Sequence, residues 1–146
     1  MNKLTRKEQF NLLFKLWYKM DSLYSEYAKR EGMSYTTMLI LNIIYEDNNH
    51  CTQKMLAEKT FLPKQTINTV ITGFYKNGLI TLKEVPDDRR NKTIELTPQG
   101  QELADKIFPS LDNAAMNALE AIEKTEVSKL LELLQTYVDN FEKNIK

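Results

Sequence analysis

From Thr5 to Arg30 the chain contains neither glycine nor proline, and Phe10, Leu13, Phe14, Trp17, Met20, Tyr24, Tyr27 and Ala28 recur at steps of three and four. That spacing predicts a long amphipathic helix. Leu12, Leu16 and Leu23 add apolar positions beside the main stripe, as expected of a helix shared between a core and a partner. Gly32 closes it. Ser34 is placed to cap a second helix, in which Met38, Leu39, Leu41 and Ile43 to Tyr45 make a mostly buried segment ending at the polar run Glu46-Asp47-Asn48-Asn49. Thr52 caps a short third helix carrying Met55, Leu56 and Ala57, and Pro63 suits the first turn of a fourth that stops at Asn77-Gly78.

Beyond Gly78 the period drops to two. Residues 79–85 and 92–96 read as short strands, with Ile80, Leu82, Ile94 and Leu96 alternating against Thr81, Lys83, Thr93 and Glu95. Pro86-Asp87-Asp88-Arg89-Arg90-Asn91 lies between them, a polar turn with a charged tip. Thr97-Pro98 restarts helix, which continues to the end of the chain with a break near Lys124-Thr125. In the last segment Val127, Leu130, Leu131, Leu134, Tyr137, Val138, Phe141 and Ile145 form a continuous apolar stripe. The expected order is four helices, a hairpin and two helices.

With 146 residues, 42% of them hydrophobic, the chain can bury one real core. The polar start, Met1-Asn2-Lys3-Leu4-Thr5-Arg6, and the lack of any apolar run near membrane-spanning length predict a cytoplasmic protein with no membrane partner. One cysteine, Cys51, and one histidine, His50, give no disulfide and no clustered metal ligands, so neither metal nor cofactor is expected, and His50 reads as a surface loop residue. A gly-rich phosphate loop and a nucleophile elbow are also missing, which argues against an enzyme. The formal net charge of zero argues at first against nucleic acid. Its distribution argues otherwise: basic and acidic side chains number seven and six over residues 1–51, eight and four over 52–92, and five and ten over 93–146. The middle is basic and the tail acidic.

Short helices followed by a hairpin form the winged helix-turn-helix plan, in which a recognition helix enters the major groove and the hairpin tip reaches the flanking minor groove. In the fourth helix Ile67, Val70, Ile71 and Phe74 commit one face to the core. The other face then carries Lys64, Gln65, Asn68 and Thr72, with Thr66 and Thr69 at its margins and no carboxylate among them. Such side chains can read base edges and phosphates, although any surface helix is polar on one side. At the hairpin, Arg89 and Arg90 are suited to a narrow minor groove, with Lys92 behind them. Asp87 and Asp88 suit DNA only if one carboxylate holds an arginine in position through a bidentate pair; otherwise the segment is an ordinary solvated turn.

Asp88-Arg89-Arg90 followed by Leu96-Thr97-Pro98-Gln99-Gly100 resembles the Asp-x-Arg wing and Leu-Thr-x-x-Gly motif of the MarR family, with matching spacing. Thr52-Gln53 with Leu56-Ala57-Glu58 resembles that family's positioning helix, and Thr66-Ile67-Asn68 through Gly78-Leu79-Ile80 its recognition helix and strand entry. The resemblance implies a mainly α fold with a small β-hairpin wing, a winged helix-turn-helix with N- and C-terminal dimerisation helices. Residues 1–33 and 98–146 would form the dimerisation region and 34–97 the DNA-binding lobe, within one compact domain. It further implies Arg90 as the minor-groove arginine, Asp88 as its orienting partner and Arg89 as an auxiliary phosphate contact. Leu82, where relatives often carry arginine, and Phe74-Tyr75, in place of a common Leu-Glu, depart from the pattern. Gly73 inside the recognition helix has no account except close packing.

The implied protein is a transcription regulator, a repressor that binds a double-stranded inverted-repeat operator as a homodimer and releases it when a small aromatic effector binds. Trp17, Tyr18, Tyr24, Tyr27 and Met38 are candidates to line the effector site, against the reading that aromatics at helical spacing are core and interface. Cys51, at the start of a helix that could lower its pKa, is a candidate redox switch. The competing function is a winged-helix protein-interaction adaptor, which has no need of Arg89 and Arg90.

Overall fold

The computed structural model describes residues 3–47 and 50–146, so Asn48 and Asn49 of the expected polar run and the first two residues lie outside it. Six helices are present: α1 (Arg6–Arg30), α2 (Tyr35–Glu46), α3 (Gln53–Thr60), α4 (Lys64–Lys76), α5 (Pro98–Glu120) and α6 (Lys124–Ile145). Strands β1 (Cys51–Thr52), β2 (Ile80–Val85) and β3 (Asp88–Leu96) form one antiparallel sheet in the order β1-β3-β2. None of the described helices is long and apolar enough to cross a membrane.

Side-chain caps start α1, α2 and α3. Thr5 and Glu8 form a reciprocal capping box at α1, and the Ser34 and Thr52 hydroxyls accept the N–H groups of Thr37 and Met55 at α2 and α3. Pro63 stands one residue before α4, as its N-cap, with no side-chain hydrogen bond capping that helix. At the other end of α4, Gly78 takes φ +72° while the N–H groups of Gly78 and Leu79 reach the carbonyls of Tyr75 and Phe74. This is a Schellman closure that needs a left-handed residue.

Backbone packing divides the chain into two compact units, one ending at Lys106 and the other comprising Ile107–Lys146. The division falls inside α5, and α6 buries no side chain. The core of the first unit draws Ala28 from α1, Met38, Ile40, Leu41 and Ile44 from α2, Leu56 from α3, and Ile67, Ile71 and Phe74 from α4. Ile80 and Ile94 of the hairpin, Cys51 and Ala104 complete it. Each of the larger side chains is worth about 1.5–3 kcal/mol of burial. Val70 is only half-buried, at the edge of the apolar face that the sequence assigns it to.

Two features of the sheet differ from the expectation. Strand β1 pairs Cys51 with Ile94 and Thr52 with Thr93; two residues are too few to show alternation. Strand β3 begins at Asp88 and not at Lys92, because Val85 pairs with Asp88 while Glu84 pairs with Lys92. The tip is therefore the two-residue turn Pro86-Asp87, and Arg89, Arg90 and Asn91 are extra residues on the longer strand, thrown into a bulge.

The Leu96-Thr97-Pro98-Gln99-Gly100 segment locks the base of the hairpin to the end of α4. The Thr97 hydroxyl donates to the Gly78 carbonyl at 2.6 Å and accepts the Gly100 N–H at 3.1 Å, while the Thr97 N–H donates to the Leu79 carbonyl at 3.0 Å. A Cβ on Gly100 would stand 2.0 Å from that same Leu79 oxygen. Farther into α5, the Tyr45 hydroxyl and the Gln101 amide both donate to Asp105 Oδ1, at 2.9 and 3.0 Å, which ties α2 to α5.

Candidate nucleic-acid interface

Helix α4 turns Ile67, Ile71 and Phe74 inward and leaves Lys64, Gln65, Asn68, Thr69 and Thr72 exposed, with Thr66 half-buried at the margin. The sequence-derived face is thus assembled on one helix, and its exposed side carries no carboxylate. The Thr69 hydroxyl donates to the Gln65 carbonyl at 2.9 Å. It therefore offers lone pairs to a ligand more readily than a proton. Because no side chain caps α4, its leading N–H groups remain available to an anion.

Arg89, Arg90 and Lys92 are all exposed on the wing. Asp88 does orient this segment, but by a different contact from the one expected. Its Oδ1 accepts the backbone N–H of Arg90 at 3.1 Å and its Oδ2 accepts the side-chain amide of Asn91 at 3.0 Å. The ion pairs among the described residues include none from Asp88 to either arginine. A carboxylate two residues before an N–H makes an Asx turn, and that geometry leaves the guanidinium of Arg90 uncommitted.

Gln53, Lys54 and Asn91 belong to the same surface although they were not among the sequence candidates. Gln53, Lys54, Ala57, Glu58, Lys64, Ile67 and Asn91 line one open concavity, and Gln53, Leu82, Arg90, Asn91 and Lys92 line another. The first turn of α3 is thereby brought against the wing, and Gln53, common to both concavities, marks the junction. Position directly after the Thr52 cap was the available signal. Glu58 is the one carboxylate at the lining of either concavity.

Gly73 is not explained by close packing, since nothing lies within 4 Å of where its Cβ would be. Gly73→Ala is expected to stabilise the protein by about 1 kcal/mol, raising the melting temperature by about 3 °C; an unchanged or lower value would show a need for glycine.

Cys51 also departs from its expectation. The side chain is fully buried, its Sγ lies 3.8 Å from the Thr52 carbonyl, and burial, with the charge of Asp47 adding to it, pushes the thiol up to about 11. Raised rather than lowered, it stays protonated at neutral pH and is a poor nucleophile. DNA binding measured before and after peroxide treatment is expected to be the same, and a peroxide-dependent loss that a Cys51→Ser variant abolishes would refute this. His50 is exposed in a turn, as expected.

The five candidate effector residues do not share one environment. Trp17 and Tyr18 are 61% and 66% exposed, whereas Met38 is 2% exposed and belongs to the core. Tyr18 continues a ladder of tilted rings from Phe10 through Phe14, Tyr24 stacks on Tyr35 with centroids 5.3 Å apart, and the Arg30 guanidinium lies over Tyr27.

Residues 31–91, from the end of α1 to the bulge of the wing, match the MarR family. The HTH-type transcriptional regulator SarZ of Staphylococcus epidermidis is 28% identical over 124 residues, covering 84% of this chain and 82% of its own. The solved structure of NMB1585, a MarR family regulator from Neisseria meningitidis, superposes with a TM-score of 0.80 at 23% identity, covering 94% of this chain and 96% of its own. A MarR family regulator from Listeria monocytogenes complexed with 26mer DNA gives a TM-score of 0.72 at 21% identity, over 99% of this chain and 92% of its own. The mainly α winged-helix fold is thus shared with solved structures of MarR family regulators.

Proposed function

We propose that the protein is a repressor that binds an inverted-repeat DNA operator as a homodimer, with α4 in the major groove and the wing arginines in the flanking minor groove. The observation that carries this reading is the carboxylate-free exposed face of α4 beside a wing whose Arg89 and Arg90 are exposed and bulged from the ladder. Residues 34–97 then act as the DNA-binding lobe, and 1–33 with 98–146 as the dimerisation helices.

The apolar surface left uncovered supports a two-fold partner. On α1 Phe10, Leu12, Leu16, Trp17, Met20 and Leu23 are exposed, and on α6 Leu130, Leu131, Leu134, Tyr137, Val138 and Phe141 are exposed. Monomers seldom leave so much large apolar side chain in water. Release by a small aromatic effector is part of the same proposal, with Tyr24 and Tyr27 the better-placed of the candidates because both are half-buried. Footprinting on genomic DNA tests the reading: it should recover an inverted repeat with half-site centres about 10 base pairs apart. A strictly monomeric mass at micromolar concentration, or protection without two-fold symmetry, would refute the dimer.

A further inference from the structure

Phe61 is the only described non-glycine residue with positive φ, at +56°, and its side chain is 92% exposed. Both facts count against it on folding grounds. A side chain in the left-handed region is strained where glycine is not, and a bare ring gains nothing from the core. The conformation is nevertheless firmly held. The Phe61 N–H closes α3 onto the Ala57 carbonyl at 2.9 Å, and the Thr60 hydroxyl donates to the Leu56 carbonyl at 2.6 Å while accepting the Leu62 N–H at 3.2 Å. Strain that the surroundings over-determine, at a residue idle within its own chain, points outward to a ligand.

Position selects the ligand. Phe61 lies in the turn joining α3 to α4, three residues before Lys64, and these two helices contribute Ala57, Glu58, Lys64 and Ile67 to one concavity of the DNA-facing surface. An uncharged ring at the entry of a recognition helix has one kind of partner in a major groove, the C5-methyl group of thymine. We infer that Phe61 is a specificity residue whose ring packs on a thymine methyl at the edge of each half-site. This rests on the DNA-binding reading above and adds to it a thymine contact made from outside α4.

The test uses the full chain and a duplex that it selects from a random-sequence pool, prepared once with thymine and once with deoxyuridine throughout. The wild type should bind the deoxyuridine duplex about fivefold more weakly than the Phe61→Gly and Phe61→Asn variants' own losses would predict, because those variants have no ring to lose a methyl contact. Both variants should fold, with Phe61→Gly melting about 3 °C higher as the strain is relieved. Equal thymine-to-deoxyuridine ratios in wild type and variants overturn the inference, as does undiminished binding of the thymine duplex by both variants. If Arg90→Ala weakens binding while the Phe61 variants do not, only this inference falls. If no duplex is enriched at all, it falls together with the DNA-binding reading.

Discussion

Gly100→Ala is expected to lower the melting temperature by about 10 °C, the loss of roughly 3–5 kcal/mol that severe overpacking at a pinned site produces. The added Cβ would meet the Leu79 oxygen at 2.0 Å, the Leu79 carbonyl carbon at 3.0 Å and a Leu96 methyl at 3.2 Å. A flexible side chain could yield, but the first two of these are backbone. The Leu79 oxygen is further held by the Thr97 N–H, so it cannot retreat without breaking that bond. Small domains have about 5–15 kcal/mol in total, and a change of this size consumes a large part of it. Thermal denaturation followed by circular dichroism measures the effect. A shift below about 2 °C would mean that the junction accommodates a methyl group and that the glycine stands there for another reason.

Arg90→Ala is expected to weaken operator binding by about tenfold to a hundredfold with little change in melting temperature, since the residue is exposed and makes no ion pair among the described residues. The dependence of log affinity on log salt should flatten by about one unit per arginine withdrawn from DNA, hence about two for a dimer. Asp88→Ala provides a control of opposite sign. Removing a negative charge beside DNA should tighten binding if charge alone mattered, yet it also frees the Arg90 N–H and the Asn91 amide from their acceptor. Weaker binding by Asp88→Ala therefore reports the loss of a held backbone. Arg90→Ala with unchanged affinity and salt slope would remove the minor-groove role and return the adaptor as the better reading.

The six helices were legible because each carries an apolar period and most carry a cap, and both signals are local: Ser34, Thr52 and Thr97 cap as their positions suggest. The recognition face followed from the core face, since a helix that buries Ile67, Ile71 and Phe74 has little freedom over what it exposes. What stayed hidden is non-local or conformational. Strand β1 exists through its pairing with β3, forty residues on in the chain, and two residues hold no period. The acceptor role of Asp88 toward a backbone N–H looks the same in sequence as a role toward a guanidinium. Phe61 gives no sign in its letter that its φ is positive, and Gly100 none that its missing Cβ makes room for a carbonyl. Cys51 misled for a related reason: a helix start lowers a thiol pKa, but the burial that outweighs it is set by residues far off in the chain.

The Thr97 hydroxyl stands at the meeting point of three elements, bonded to the end of α4 through Gly78 and to the first turn of α5 through Gly100. Two hydrogen bonds on one oxygen, with a third from the neighbouring N–H, leave no slack between these parts. A rotation of the first turn of α5 would have to break these bonds or carry the end of α4 and the base of the wing with it. Under the DNA-binding reading, a signal that reached the first turn of α5 would act by redirecting the reading head as a unit, without melting it.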